Sequence, residues 1–148
     1  MGSPRDLPVN IGEICNRDVS TVCATATLDE AAELLSNSYA DALVAIASPV
    51  ARPTAIGMIT YRHLLNAVAT GSDLKRVRVL DVLDRNPLVV SEDEDIEGAI
   101  LKLRSRGAKH APVIGTGAML RGAISMDRLL GCRLCLSSAG AAHALLCG

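Results

Sequence analysis

Two four-residue segments carry the residue types best suited to hold a small molecule: Gly57-Met58-Ile59-Thr60 and Gly122-Ala123-Ile124-Ser125. In each, the glycine lets backbone approach a ligand, the apolar pair can sandwich a flat ring, and the terminal hydroxyl can bond to a sugar or phosphate oxygen. The same hydroxyl suits a helix cap, since a helical pattern follows each segment, and the two roles are compatible. Other motifs fail on inspection. Ser91 to Gly98 opens like a calcium loop, but its twelfth position is Arg104, where a bidentate Glu is needed. Its acids read as favourable charges near a helix N-terminus. Gly117 to Gly122 has the glycine spacing of a phosphate loop, but Ala123 stands where Lys is required. Cys132, Cys135, His143 and Cys147 offer four zinc ligands of which only the opening C-x2-C is a familiar spacing, so small, partly buried thiols are the favoured reading. With three histidines, His63, His110 and His143, and no catalytic signature around any of them, the expected function is not enzymatic.

Composition narrows the field further. Fifteen Lys and Arg face sixteen Asp and Glu, a formal charge of -1, which gives no global attraction to nucleic acid or an anionic membrane. The cluster Lys75-Arg76-Val77-Arg78 reads as a solvated linker. Phe and Trp are absent and only Tyr39 and Tyr61 are aromatic, which disfavours base-stacking grooves and leaves the core to Leu, Ile, Val, Ala and Met. Five scattered cysteines, an odd number, and no apolar leader in Met1 to Asn10 lead us to expect reduced thiols and a cytoplasmic protein. Leu129 to Cys147 is too interrupted for a spanning helix.

The elements that must position these residues come in duplicate. Leu28, Ala31, Ala32 and Leu35 follow helical spacing, as do Ile96, Ala99, Ile100 and Leu103, 68 positions later. Thr27 with Glu30 forms a capping box for the first helix, and Asp95 caps the second. The same offset carries Leu43-Val44-Ala45-Ile46 onto Ala111-Pro112-Val113-Ile114, each a buried strand. A second strand follows in each half, Ala55 to Ile59 and Met119 to Ile124, and a helix begins near Tyr61 and Met126. Short segments, Ile11 to Val22 and Val79 to Val90, precede the two halves. Since about 60 residues are marginal alone, the halves are expected to bury their sheets against each other. The predicted organisation is a tail (1–8), a first repeat (9–69), a linker (70–78), a second repeat (79–131) and a C-terminal tail (132–148). In that last tail Leu134, Leu136, Leu145 and Leu146, with Leu129 and Leu130, are expected to seal a homodimer.

In order and repetition these features resemble the cystathionine β-synthase (CBS) domain family: the Thr27-Leu28-Asp29-Glu30-Ala31 helix start, Lys109-His110-Ala111-Pro112-Val113-Ile114 on a strand, and the two Gly-apolar-apolar-hydroxyl segments followed by Leu64-Leu65 and Leu129-Leu130. The resemblance covers roughly Val9 to Leu130 and implies an α/β (α+β) fold of two pseudo-symmetric β-α-β-β-α repeats. It implies a cleft for AMP, ADP, ATP or S-adenosylmethionine, a disc-like homodimer and an unidentified regulated protein. The ligand-binding residues implied are Val22, Gly57, Ile59, Thr60 and His63 in one half and Val90, Lys109, His110, Pro112, Gly122, Ile124, Ser125, Asp127 and Arg128 in the other. Lys109 and His110 fall where the family places cations facing phosphates; Asp41 and Ala42 hold that place in the first repeat. Arg62, Arg121 and Arg128 are further cations if they face the cleft. The family's ribose-binding Asp, three residues after the hydroxyl, is replaced by His63 and by Arg128, with Asp127 one place early. His63 and Arg128 also read as solvent-facing helix residues, and paired loss of the Asp leaves a purely structural dimerisation module as the alternative.

Overall fold

The computed structural model describes residues 9–38, 40–47 and 53–139, with side chains through 135. Its elements are α1 (Ile11–Ile14), β1 (Thr21–Cys23), α2 (Leu28–Ser36), β2 (Ala42–Ile46), β3 (Ala55–Thr60) and α3 (Tyr61–Ala69). The second half repeats them as α4 (Val79–Val82), β4 (Val90–Ser91), α5 (Ile96–Arg106), β5 (His110–Ile114), β6 (Leu120–Ser125) and α6 (Met126–Ala139). Both predicted caps form: Thr27 Oγ1 accepts from Glu30 N at 3.3 Å while Glu30 returns a bond to Thr27 N, and Asp95 Oδ1 accepts from Gly98 N at 2.7 Å. Gly107 closes α5 in the left-handed conformation that a side chain would resist.

Each half builds a three-stranded sheet in which the middle strand is parallel to one neighbour and antiparallel to the other, β1-β2-β3 and β4-β5-β6. One difference between the copies follows from a single residue. Val44 donates its N–H to Ser20 O at 2.9 Å, which lets β1 pair from Thr21 onward. Pro112, 68 positions later, has no N–H to give, and β4 starts one residue later in the repeat, at Val90 opposite Val113.

Side chains alternate across β2 in the expected way. Leu43 and Ala45 join Leu28, Leu35, Ile59 and Leu64 under helices α2 and α3. Val44 and Ile46 face the other way and, with Ala55, meet Ile114, Leu120 and Ala123 of the second repeat. Main chain stitches the same seam, Leu120 N donating to Pro53 O at 2.8 Å. The two sheets are therefore joined face to face. The short helices lie in the opposite copy: Ile11 and Ile14 of α1 pack into the second core, among Val90, Ile100 and Leu129, while Val79 of α4 completes the first. Leu129 is fully buried in its own repeat's core and does not seal a partner, whereas Leu134 is 67% exposed; Leu136 carries no described side chain, and Leu145 and Leu146 lie outside the described residues. Among the described residues no helix is long and apolar enough to cross a membrane.

Ile11 is wholly buried in a core that, apart from its own segment, is built from the second repeat, so Ile11→Ala should remove about 2–5 kcal/mol of stability despite its place near the chain start. The urea midpoint of the purified variant measures this; a change below about 0.5 kcal/mol would mean that α1 is not part of the core.

Candidate functional site

Where the seam between the sheets is not filled by apolar side chains, a cavity of about 270 Å³ remains. One wall comes from the first repeat: Ala42 and Val44 of β2, Met58 of β3, Asp41 just before β2, and Asp18, Val19 and Ser20 ahead of β1. The facing wall comes from the second: His110 of β5, Ala123, Ile124 and Ser125 of β6, and Arg128 in the first turn of α6. Apolar surface from Val44, Met58 and Ala123 is thus ringed by two carboxylates, a guanidinium, an imidazole and two hydroxyls, the mixture expected of a small-molecule site.

Several bonds fix this arrangement. His110 and Ser125 are direct cross-strand neighbours. Ser125 Oγ accepts from Arg128 N at 3.1 Å, capping α6 and leaving its O–H free to donate elsewhere. Arg128 Nε donates to Ile14 O at 3.0 Å, tying α6 to the segment that follows α1. Asn16 and Ala123 exchange two backbone bonds, 2.8 and 2.9 Å, and Asn16 Oδ1 accepts from Asp18 N at 3.0 Å, which shapes the turn carrying Asp18. This close approach is why position 122 is glycine. A Cβ there would collide with the Asn16 carbonyl oxygen and lie 3.0 Å from the Cys15 sulfur.

Of the residues singled out in the sequence, His110, Ile124, Ser125 and Arg128 line the cavity; Gly122 does not, but admits the close approach of Asn16. Val22, Ile59 and Val90 turn their side chains into the helix-covered cores. Pro112 is buried; Lys109 and Asp127 are exposed and do not line the cavity, and neither do Arg62 and Arg121. Arg121 pairs with Glu92 at 3.0 Å, and Glu94 pairs with Lys102 at 2.9 Å, so the acidic run of the rejected calcium loop is engaged by cations of the protein. Asn16, Asp18 and Ser20 are polar lining residues that the sequence did not single out; Asp41 was noted only as holding the place of Lys109, and Met58 belongs to the first Gly-apolar-apolar-hydroxyl segment. Asp41 is the repeat partner of Lys109, whereas the 68-residue offset carries Asp18 onto Asn86 and gives no signal for it.

Gly57, Thr60 and His63 stand at the pseudo-equivalent position in the first repeat, where Leu83 and Pro87 pack over Gly57. His63 is not a solvent-facing residue. It is half-buried, and its Nδ1 accepts from Thr60 N at 3.1 Å and lies 3.1 Å from Thr60 Oγ1, closing a capping box on α3. Burial lowers its pKa from the ordinary 6.5, with Arg62 adding to the effect and Asp84 opposing it. In the C-terminal tail, Cys132 is buried and, like Cys15 and Cys23, free. Cys135 is disulfide-bonded, a departure from the expected five reduced thiols that also withholds it from zinc. His143 and Cys147 lie outside the described residues. Among the described residues no three potential ligands cluster for a metal.

Two β-α-β-β-α units, packed through their sheets around a cleft and exchanging their leading helices, define a paired-repeat regulatory module. The CBS domain family matches the chain twice, over residues 11–70 and 79–134, and the chain belongs to that family. An uncharacterized protein of Methanopyrus kandleri is 26% identical over 123 residues, and the match spans 82% of this chain but only 61% of the relative. Among solved structures, the hexameric CBS-CP12 protein from bloom-forming cyanobacteria is 26% identical, with a TM-score of 0.69 over 84% of this chain and 67% of that one. A CBS domain protein from Pyrobaculum aerophilum complexed with AMP is 25% identical, with a TM-score of 0.68 over 80% of this chain and 88% of that one.

Two outcomes test this description. Gly122→Ala should cost about 1–3 kcal/mol, read from the denaturant midpoint, because the obstructing atom is backbone. For His63, the unfolded chain takes up a proton near pH 6.5 while the folded chain resists until lower pH. Stability should therefore fall as pH drops below 6.5 and level off once the folded imidazole also protonates. His63→Gln keeps a capping side chain and should lose that component, seen as a smaller stability difference between pH 7.5 and pH 5 than in the parent.

Proposed function

We infer that this CBS pair is a regulatory module whose inter-repeat cleft binds an adenosine-containing ligand of the AMP, ADP, ATP or S-adenosylmethionine type. The carrying observation is the cavity itself: it lies at the seam, draws walls from both repeats, and combines an apolar slot with Ser125, His110 and Arg128 from one repeat and Asp18 and Asp41 from the other. A purine fits against Val44, Met58 and Ala123, and the polar rim supplies donors and acceptors for ribose and an anionic group. The AMP complex of the Pyrobaculum aerophilum relative supports the ligand class. Because each wall belongs to a different repeat, a ligand bridging them changes the free energy of their mutual arrangement, and regulation follows to the extent that two arrangements bind it unequally. The partner so regulated is a separate protein or another part of a longer chain.

A second reading, a dimerisation module without a ligand, is favoured by the exposed apolar side chains Leu65 (68%) and Val68 (61%) on α3 and Leu134 on α6. Differential scanning calorimetry separates the two. At a hundredfold excess over Kd the correct ligand adds about 2.7 kcal/mol and raises Tm by about 5–10 °C. A stable dimer by sedimentation, with an unshifted melt at millimolar AMP, ADP, ATP and S-adenosylmethionine, would establish the scaffold reading instead.

A further inference from the structure

The charges around the cavity carry the proposed function further, and this step rests on that reading. Arg128, three residues after the strand-end hydroxyl of Ser125, lines the cavity. The carboxylates come from the first repeat, Asp18 on the turn that Asn16 pairs to β6 and Asp41 just ahead of β2. The lining is thus polarised by repeat: an anion meets Arg128, the Ser125 hydroxyl and His110 of the second, while ligand hydroxyls meet acceptors of the first.

This polarity sets how much negative charge the cleft tolerates. Among the described residues Arg128 is the one Arg or Lys in the lining, against two Asp, so the described lining carries a formal charge of -1 with histidine neutral. One phosphate finds a partner in Arg128. Additional phosphates bring charge that no further Lys or Arg of the described lining meets, beside two exposed carboxylates that repel it. Volume points the same way, since about 270 Å³ falls just below the usual range of ligand pockets, roughly 300 to 1,000 Å³. We propose that the cleft selects nucleoside monophosphates over triphosphates, with Arg128 as the anion clamp and Asp18 and Asp41 as the residues that turn additional phosphate away.

Isothermal titration of the whole chain with AMP, ATP and adenosine, without divalent cations, tests this. AMP should bind at least about tenfold more tightly than either ATP or adenosine, a gap that shrinks as salt rises. Arg128→Gln should bring AMP down to the affinity of adenosine. The double variant Asp18→Asn with Asp41→Asn, at exposed positions, should narrow the AMP-to-ATP ratio at least about fivefold. ATP binding as tightly as AMP, or a ratio unmoved in the double variant, overturns the selectivity while leaving the adenosine-site reading intact. Failure of all three compounds to bind overturns the selectivity, and overturns the adenosine-site reading as well when ADP and S-adenosylmethionine also fail. Should Arg128→Gln lose its cooperative melt, the ratio in the double variant decides.

Discussion

Strand β2 must be apolar on both faces at once, and the rest of the architecture follows from that. Leu43 and Ala45 close the core under α2 and α3, while Val44 and Ile46 form the seam with the second sheet. A half-repeat standing alone would leave the seam face in water, a loss of about 25 cal/mol for each Å² of apolar surface. Association of the copies is therefore a condition of folding. The cleft is where that seam stops being apolar: Ala42 and Val44 lie on its wall, and beyond them the lining turns to Asp41 and Asp18. A site formed by the end of a packed seam inherits its rigidity from the packing.

Rigidity on one side is reinforced by backbone. The paired bonds between Asn16 and Ala123 hold the Asp18 turn against β6, and only a residue without a Cβ at 122 permits so close an approach. Arg128 joins the same assembly through Ile14 O. A group engaging the Arg128 guanidinium thus acts on a side chain already bonded to the other repeat's leading segment, a short mechanical route from cleft to fold.

The elements were legible because the chain states them twice. Helical spacing at Leu28 and Ile96, capping at Thr27 and Asp95, and the two apolar runs agree with each other across a constant offset, so each copy checks its twin. What stayed hidden was tertiary. Four-residue helices carry too little periodicity to say which core receives Ile11 or Val79. The cavity wall that contains Asp18 and Asp41 depends on which loops the seam brings together, a fact with no local signature. The sequence offers His63 both as a ligand contact and as a surface helix residue; imidazole is absent from the usual capping-box pattern, yet its Nδ1 accepts the same backbone N–H that a Glu would. The displacement of Pro112 from a ligand wall to a buried strand, and the shorter β4 beside it, show duplicated segments diverging through one missing donor.

The exchange of leading helices means that the linker is not a border between two freestanding bodies. A protease cut within residues 70–78 would leave one fragment carrying Ile11 and Ile14 without their socket, and another carrying Val79 without its own. Each piece holds the plug for the other's hole. Such fragments are complementary halves of one object, and expression of either by itself yields an incomplete core.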